Sequence, residues 1–190
     1  MASGSIDTKE TIMAAARLMV QARGYKALSF RELAKEVGIK SASIHYHFPT
    51  KDDLAVALAR RYTEDLALLL EHLTTDVAEL PARMAAYTNI FRDALLRDNR
   101  MCLCGMLASE STDLSPQVKA EVERFNATNI AWLSTMLARE RSDLDDAAIH
   151  NRAVAILAAV EGAQLVARGY GDVRRYDQAI GAYRTAGLMP

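Results

Sequence analysis

Proline and glycine are sparse in this sequence, four and nine in 190 residues. That is too few for a sandwich or barrel assembled from many tight turns. Cysteine is confined to Cys102 and Cys104, and a bridge across so short a loop would be strained, so both are expected as thiols. There is no run of about 18 uninterrupted apolar residues, and no bilayer span or membrane partner is expected. The first residues, Met1 to Ser5, are polar and lack the charged-then-apolar order of a secretory signal, which points to the cytoplasm. A net charge of −1 with 51% apolar residues excludes whole-chain disorder. Ala, Leu, Glu and Arg fill the long stretches instead, so the prior is all-α.

The periodicity divides the chain into about nine helices. Asp7 and Thr8 are placed to cap the first, with Ile12, Ala15, Ala16, Met19 and Val20 at helical spacing and Gly24 just beyond. Ser29, three residues before Glu32, has the pattern of a capping box for a short second helix that stops at Gly38. A third begins at Ser41 and ends before Pro49, and Thr50 caps a longer fourth with an apolar stripe through Leu54, Ala57, Leu58, Arg61, Leu66 and Leu69. Pro81 opens a fifth, Met101 to Ser111 forms a short sixth, and Ser115-Pro116 starts a long seventh reaching about Glu140. Asp143 or Asp145 caps the eighth, which ends near Gly169 and Gly171, and a ninth runs from about Val173 to Ala186.

Charge and function concentrate at the start. Residues 1–50 hold seven Lys/Arg against four Asp/Glu, a balance of +3, leaving −4 for the rest. A basic head on an acidic body suits a polyanionic partner for the head. Residues 29–48, SFRELAKEVGIKSASIHYHF, are two short helices about a tight turn. A helix-turn-helix needs a small residue at the crossing, a glycine where φ turns positive, and an apolar residue locking the second helix; Ala34, Gly38 and Ile44 stand at those places. The competing reading is an ordinary helical hairpin.

From Gly24-Tyr25 through S-F-R-E-L-A, V-G-I and S-I-H-Y-H-F-P-T-K-D-D-L to Leu54, the sequence resembles the head of the TetR family of bacterial transcriptional regulators. The quoted motifs span residues 24–54 of a head of about 50 residues, and the resemblance implies a DNA-binding head, residues 1–50, on a ligand-binding and dimerisation body, residues 51–190. It departs at one position: His45 stands where the family usually has a tyrosine, with Tyr46 next, so the phosphate contact falls to one of these rings. Lys40, Ser41, Ala42, Ser43 and His45 are the outward positions for base edges, since Ile44 must face inward. Phosphate positioning is assigned to Ser29, Tyr46, His47, Thr50 and Lys51, with packing beneath the head the alternative for Tyr46 and His47, and Arg31 is a further DNA-binding candidate.

One such head offers too few cationic contacts for tight binding, so a homodimer is expected on a palindromic operator in duplex DNA. Ala155, Ala159, Gly162 and Ala163 on the eighth helix, with Tyr176, Ile180 and Tyr183 on the ninth, are the candidate dimer surface. For a small-molecule inducer the body offers Tyr87, Phe91, Met101, Met106, Phe125, Asn129, Trp132 and Gln164. Glu110 and Glu161 are carboxylates on apolar segments, with Arg168 as a counter-ion. Cys102 and Cys104 open the sixth helix, where some members of the resembled family sense electrophiles through a thiol; the alternative is that both are small core residues. No nucleophile elbow, phosphate loop or paired metal ligands occur, so neither catalysis, a metal nor a cofactor is expected. The rival class is a small thiol or metal enzyme using the two cysteines and a histidine from elsewhere. The reading is a ligand-responsive repressor.

Overall fold

The computed structural model describes residues 3–77, 79–139 and 144–190, with side chains from Thr8 onward. Among these residues the chain is all-helical: α1 (Ser3–Arg23), α2 (Phe30–Val37), α3 (Ser41–His47), α4 (Lys51–Asp76), α5 (Leu80–Leu96), α6 (Leu103–Ser109), α7 (Pro116–Ala138), α8 (Asp146–Tyr170) and α9 (Arg174–Thr185), with a 3-10 turn at Ser111–Asp113. Asp143 and Glu140, expected near helix ends, lie outside the described residues.

Local chemistry explains most boundaries. Gly38 closes α2 at φ +76, with Ile39 N–H donating to the Ala34 carbonyl and Gly38 N–H to that of Lys35, the paired bonds of a Schellman cap. Thr50 and Asp53 cap α4 reciprocally: Asp53 Oδ2 accepts from both the Thr50 amide (2.9 Å) and its hydroxyl (2.7 Å), while Asp53 N–H donates to Thr50 Oγ1. Asp145 Oδ1 accepts from Ala148 N at the head of α8. Three expectations change. The first helix starts at Ser3, so Asp7 and Thr8 lie within it rather than capping it. Ser29 makes no side-chain cap bond, and Glu32, the other half of the expected box, is paired instead with Arg23 at 3.5 Å. On α4, Arg61 is exposed in a two-pronged pair with Glu10, and Leu69 is 41% exposed, while Leu66 and Leu70 take the inward register.

The chain forms two compact units, one of residues 1–62 with 103–123, the other of 63–102 with 124–190. The first brings α6 and the start of α7 in with α1, α2 and α3. Its core holds Ile12, Ala16, Val20, Leu33, Ile44 and Leu54, all fully buried, with Ala34 nearly so. In the second unit α8 packs against α5 and α9. Its core includes Met84, Tyr87, Leu133, Ile156, Val160, Gln164 and Ala167. By length and composition α8 could cross a membrane, although Arg152, Glu161 and Arg168 interrupt it. Its face from Ile149 through Ala153, Ile156, Val160 and Ala163 to Ala167 is packed inside the unit.

Candidate nucleic-acid interface and ligand site

In the first unit α3 buries Ile44 completely, and that anchor turns the flanking side chains outward. Lys40, at the N-cap, Ala42, His45 and Tyr46 are exposed, and Ser41, Ser43 and His47 partly so. Tyr46 is 81% exposed and meets the His47 ring edge-on at 5.1 Å, so neither ring is packed away as core. His45 is held at the base of the helix, its ring 4.8 Å from Phe30 and Nδ1 3.3 Å from the Pro49 carbonyl. Thr8, Ala42, Ser43, Tyr46 and His47 line an open depression of about 400 Å³ between α1 and α3. Arg31 is exposed at the start of α2, Ser29 is partly exposed before it, and Thr50 is exposed at the start of α4.

Lys51 is the most constrained of the predicted phosphate contacts. Its ammonium lies 4.1 Å from the centre of the Tyr25 ring and donates to the Lys26 carbonyl at 3.4 Å. Partial burial lowers its pKa, opposed by the charges of Glu110, Asp52 and Asp113. Tyr25 donates its hydroxyl to Asp52, and burial followed by that bond pushes the phenol's pKa far up. This platform went unseen in the sequence, where the only signal was the Gly24-Tyr25 pair.

In the second unit several predicted ligand residues are brought together and already bonded to one another. The Tyr87 hydroxyl donates to Asn129 Oδ1 at 2.9 Å, and its ring stacks on Trp132 at 5.2 Å and meets Phe91 edge-on at 5.5 Å. Asn129 donates to the Phe125 carbonyl, and Trp132 Nε1 to Leu70 O and Thr74 Oγ1. Gln164 donates to Phe91 O at 2.7 Å and accepts from Cys102 N at 2.9 Å. Cys102 is buried, as is Met101 before it. Arg168 donates to Asn99 O and Asn99 Nδ2 returns a bond to Arg168 O, closing the turn where Asp98 and Asn99 take positive φ.

Cys104, Met106 and Glu110 belong to the first unit. Glu110 does not use Arg168 as its counter-ion: its two carboxylate oxygens accept from the amides of Tyr25 and Lys26, each at 2.9 Å. Glu161 is partly buried as a residue, but its Oε1 is fully sealed and has no hydrogen-bond partner. Burial raises its pKa, and a hydrogen bond with the Cys102 thiol pulls the other way. No group of three or more His, Cys, Asp or Glu among the described residues is placed to hold a metal.

Of the predicted dimer residues, Ala159, Ala163, Tyr176 and Ile180 are buried in their own unit, and Tyr176 donates to the Thr88 carbonyl. Ala155 and Tyr183 are partly exposed and Gly162 exposed. The outward side of α8 carries Val154, Leu165, Val166 and Tyr170, which were overlooked. An eighth helix apolar on every side was the available signal.

A helix-turn-helix head with an outward second helix, in an all-helical chain, defines a DNA-binding regulator. The family described as bacterial regulatory proteins, tetR family, matches residues 12–58. A TetR transcriptional regulator from Legionella pneumophila is 32% identical, with 94% of this chain and 96% of that one covered and a TM-score of 0.87. A TetR-family transcriptional regulator from Agrobacterium tumefaciens is 28% identical over 97% of both chains, also at 0.87. The reduced form of NemR from E. coli shares the fold at 22% identity, covering 94% and 96%, with a TM-score of 0.82. No curated protein matches the sequence. The chain belongs to the TetR family of transcriptional regulators.

Proposed function

We propose that this regulator is a repressor that binds a palindromic operator as a homodimer and is released by a small molecule. The reading assigns residues 1–50 to DNA and residues 51–190 to ligand and dimerisation, working in the cytoplasm. The observation that carries it is α3: Ile44 is fully buried while Lys40, Ala42, His45 and Tyr46 stand exposed on one short, well-anchored helix. Ser29, Arg31, Thr50 and Lys51 flank that helix and serve the phosphates, while Lys40, Ser41, Ala42, Ser43 and His45 serve the bases. Selecting bound fragments from random duplex tests it. The expected product is an inverted repeat with half-sites about one helical turn apart; enrichment of no sequence, or of a single unrepeated site, refutes it.

The inducer reading centres on the thiols. An electron-poor alkene conjugated to a carbonyl would take the Cys102 or Cys104 sulfur at its β carbon; the alkene π pair then moves to the α carbon, which receives a proton in place of the one the thiol loses. Beside Cys102, Glu161 accepts a hydrogen bond from its thiol. Both sulfurs are buried, at 1% residue exposure, so the adduct cannot form without opening its surroundings, and that opening is what would couple modification to release. Cys102→Ser, Cys104→Ser or the two together are expected to reduce release by such an electrophile, measured by DNA binding with and without the reagent. Unchanged release in the double variant removes the sensor reading.

A further inference from the structure

Both contacts that seat the Lys51 ammonium come from one stretch of chain, the turn between α1 and α2: the Tyr25 ring beneath it and the Lys26 carbonyl beside it. That turn is itself held by a residue 85 positions away. Glu110 receives the amides of Tyr25 and Lys26 on separate oxygens, charge-assisted bonds roughly twice as strong as neutral ones. Gly24 makes the approach possible. Its φ is +87, and a Cβ there would stand 1.8 Å from Glu110 Oε1, a distance no side chain can occupy. The Lys26 ammonium adds a 3.0 Å pair with Asp113 from the 3-10 turn that follows Glu110. Every residue in this arrangement lies in the first unit.

We infer that Glu110 is a positioning residue for DNA binding: by clamping the Tyr25–Lys26 turn it places the Lys51 ammonium where a phosphate is met. The inference rests on the reading of Lys51 as a phosphate contact. Electrostatics alone argues the opposite role. A carboxylate beside a phosphate-binding lysine repels the phosphate over distances of roughly 10 Å at 0.1 M salt, so neutralising it should tighten binding if charge were its only influence. Positioning predicts that neutralising it weakens binding, because a glutamine side chain has one acceptor oxygen for two amides. The sign of the effect therefore separates the two roles.

The test is a double-mutant cycle read by duplex binding across a salt series, with a thermal melt for each variant. Glu110→Gln is expected to weaken binding about five- to tenfold and to make the salt dependence shallower, leaving base preference unchanged. In a Lys51→Ala background the same change is expected to have no further effect. Binding as tight as or tighter than wild type, or an equal loss in both backgrounds, overturns the positioning role while leaving Lys51 as a contact. If Lys51→Ala itself changes neither affinity nor salt slope, the phosphate reading fails first and takes the inference with it. Should Glu110→Gln fail to fold, Tyr25→Leu, which removes the ring but keeps both amides, is expected to show the same loss and the same dependence on Lys51, and a loss independent of Lys51 counts against the proposal.

Discussion

At the scale of single residues, Lys40 and Lys51 carry the same charge in different settings, and the proposed function gives them different work. Lys51 is held over an aromatic face and against a carbonyl, whereas Lys40 stands exposed at the N-cap of α3. Replacing Lys51 with alanine should weaken binding evenly across sequences and reduce the salt slope by about 0.9 per subunit. Replacing Lys40 should instead relax preference at one base pair, at a cost of about 1–3 kcal/mol for the preferred base. Binding isotherms on a panel of point-changed duplexes distinguish the two, and a sequence-specific effect at Lys51 would reverse the assignment. Glu161 gives a prediction in pH. Its pKa is raised in the folded chain by burial, so folding favours the protonated form. The stability it contributes is complete below the ordinary glutamate range and is lost as pH rises through the folded value. Glu161→Gln, which keeps an acceptor for the Cys102 thiol, should therefore melt higher than wild type at neutral pH, with the gap closing on acidification. A gap that is constant with pH would show that titration of Glu161 is not its source. The outward residues of α3 were readable because Ile44 fixed their phase; the Glu110 partners were not, since no local pattern reports a bond across 85 positions.

Single elements were legible to the degree that their signals are local. Gly38 was expected to stop α2 at a positive φ, and the cap is present in backbone bonds, with Ile39 N–H returning to the Ala34 carbonyl. Ser29 satisfied the same kind of pattern, but neither half of the box forms: its side chain makes no cap bond and Glu32 pairs with Arg23. The lesson from α4 is similar: Leu66 and Leu70 face in, but Arg61 is drawn to Glu10, a partner that periodicity cannot supply. The dependence of α3 on one anchor makes a stability prediction. Ile44 is fully buried and is the buried residue of a seven-residue helix. A helix so short has no stability of its own and exists through its packing. Ile44→Ala should thus cost about 2–5 kcal/mol and shift the melt of this chain by several degrees, with DNA affinity falling further than the loss of folded protein explains. Retained operator affinity in the folded fraction would mean that α3 is held in place by something other than this side chain.

For the whole molecule, the proposed dimer would bring two heads to one duplex, and the outward face of α8 is the surface proposed for it. Val154, Leu165, Val166 and Tyr170 are exposed at 40%, 58%, 52% and 70%, with Ala158 and Gly162 exposed between them, a stripe of apolar and small side chains along a 25-residue helix. Small residues let a second helix approach closely, and the larger ones supply area whose burial contributes roughly 25 cal/mol per Å². An isologous pair would double every contact, so a single charge placed there appears twice and faces its own copy. Leu165→Glu should therefore convert dimer to monomer in sedimentation while leaving the helical content of each chain unchanged. Because the second head then binds without the benefit of linkage, affinity for a two-half-site operator should fall by about 100-fold or more, toward that for a single half-site. A dimer that survives Leu165→Glu combined with Val154→Asp would place the pairing surface elsewhere on the chain, whereas a monomer that still bound the full operator as tightly as wild type would contradict the need for two heads.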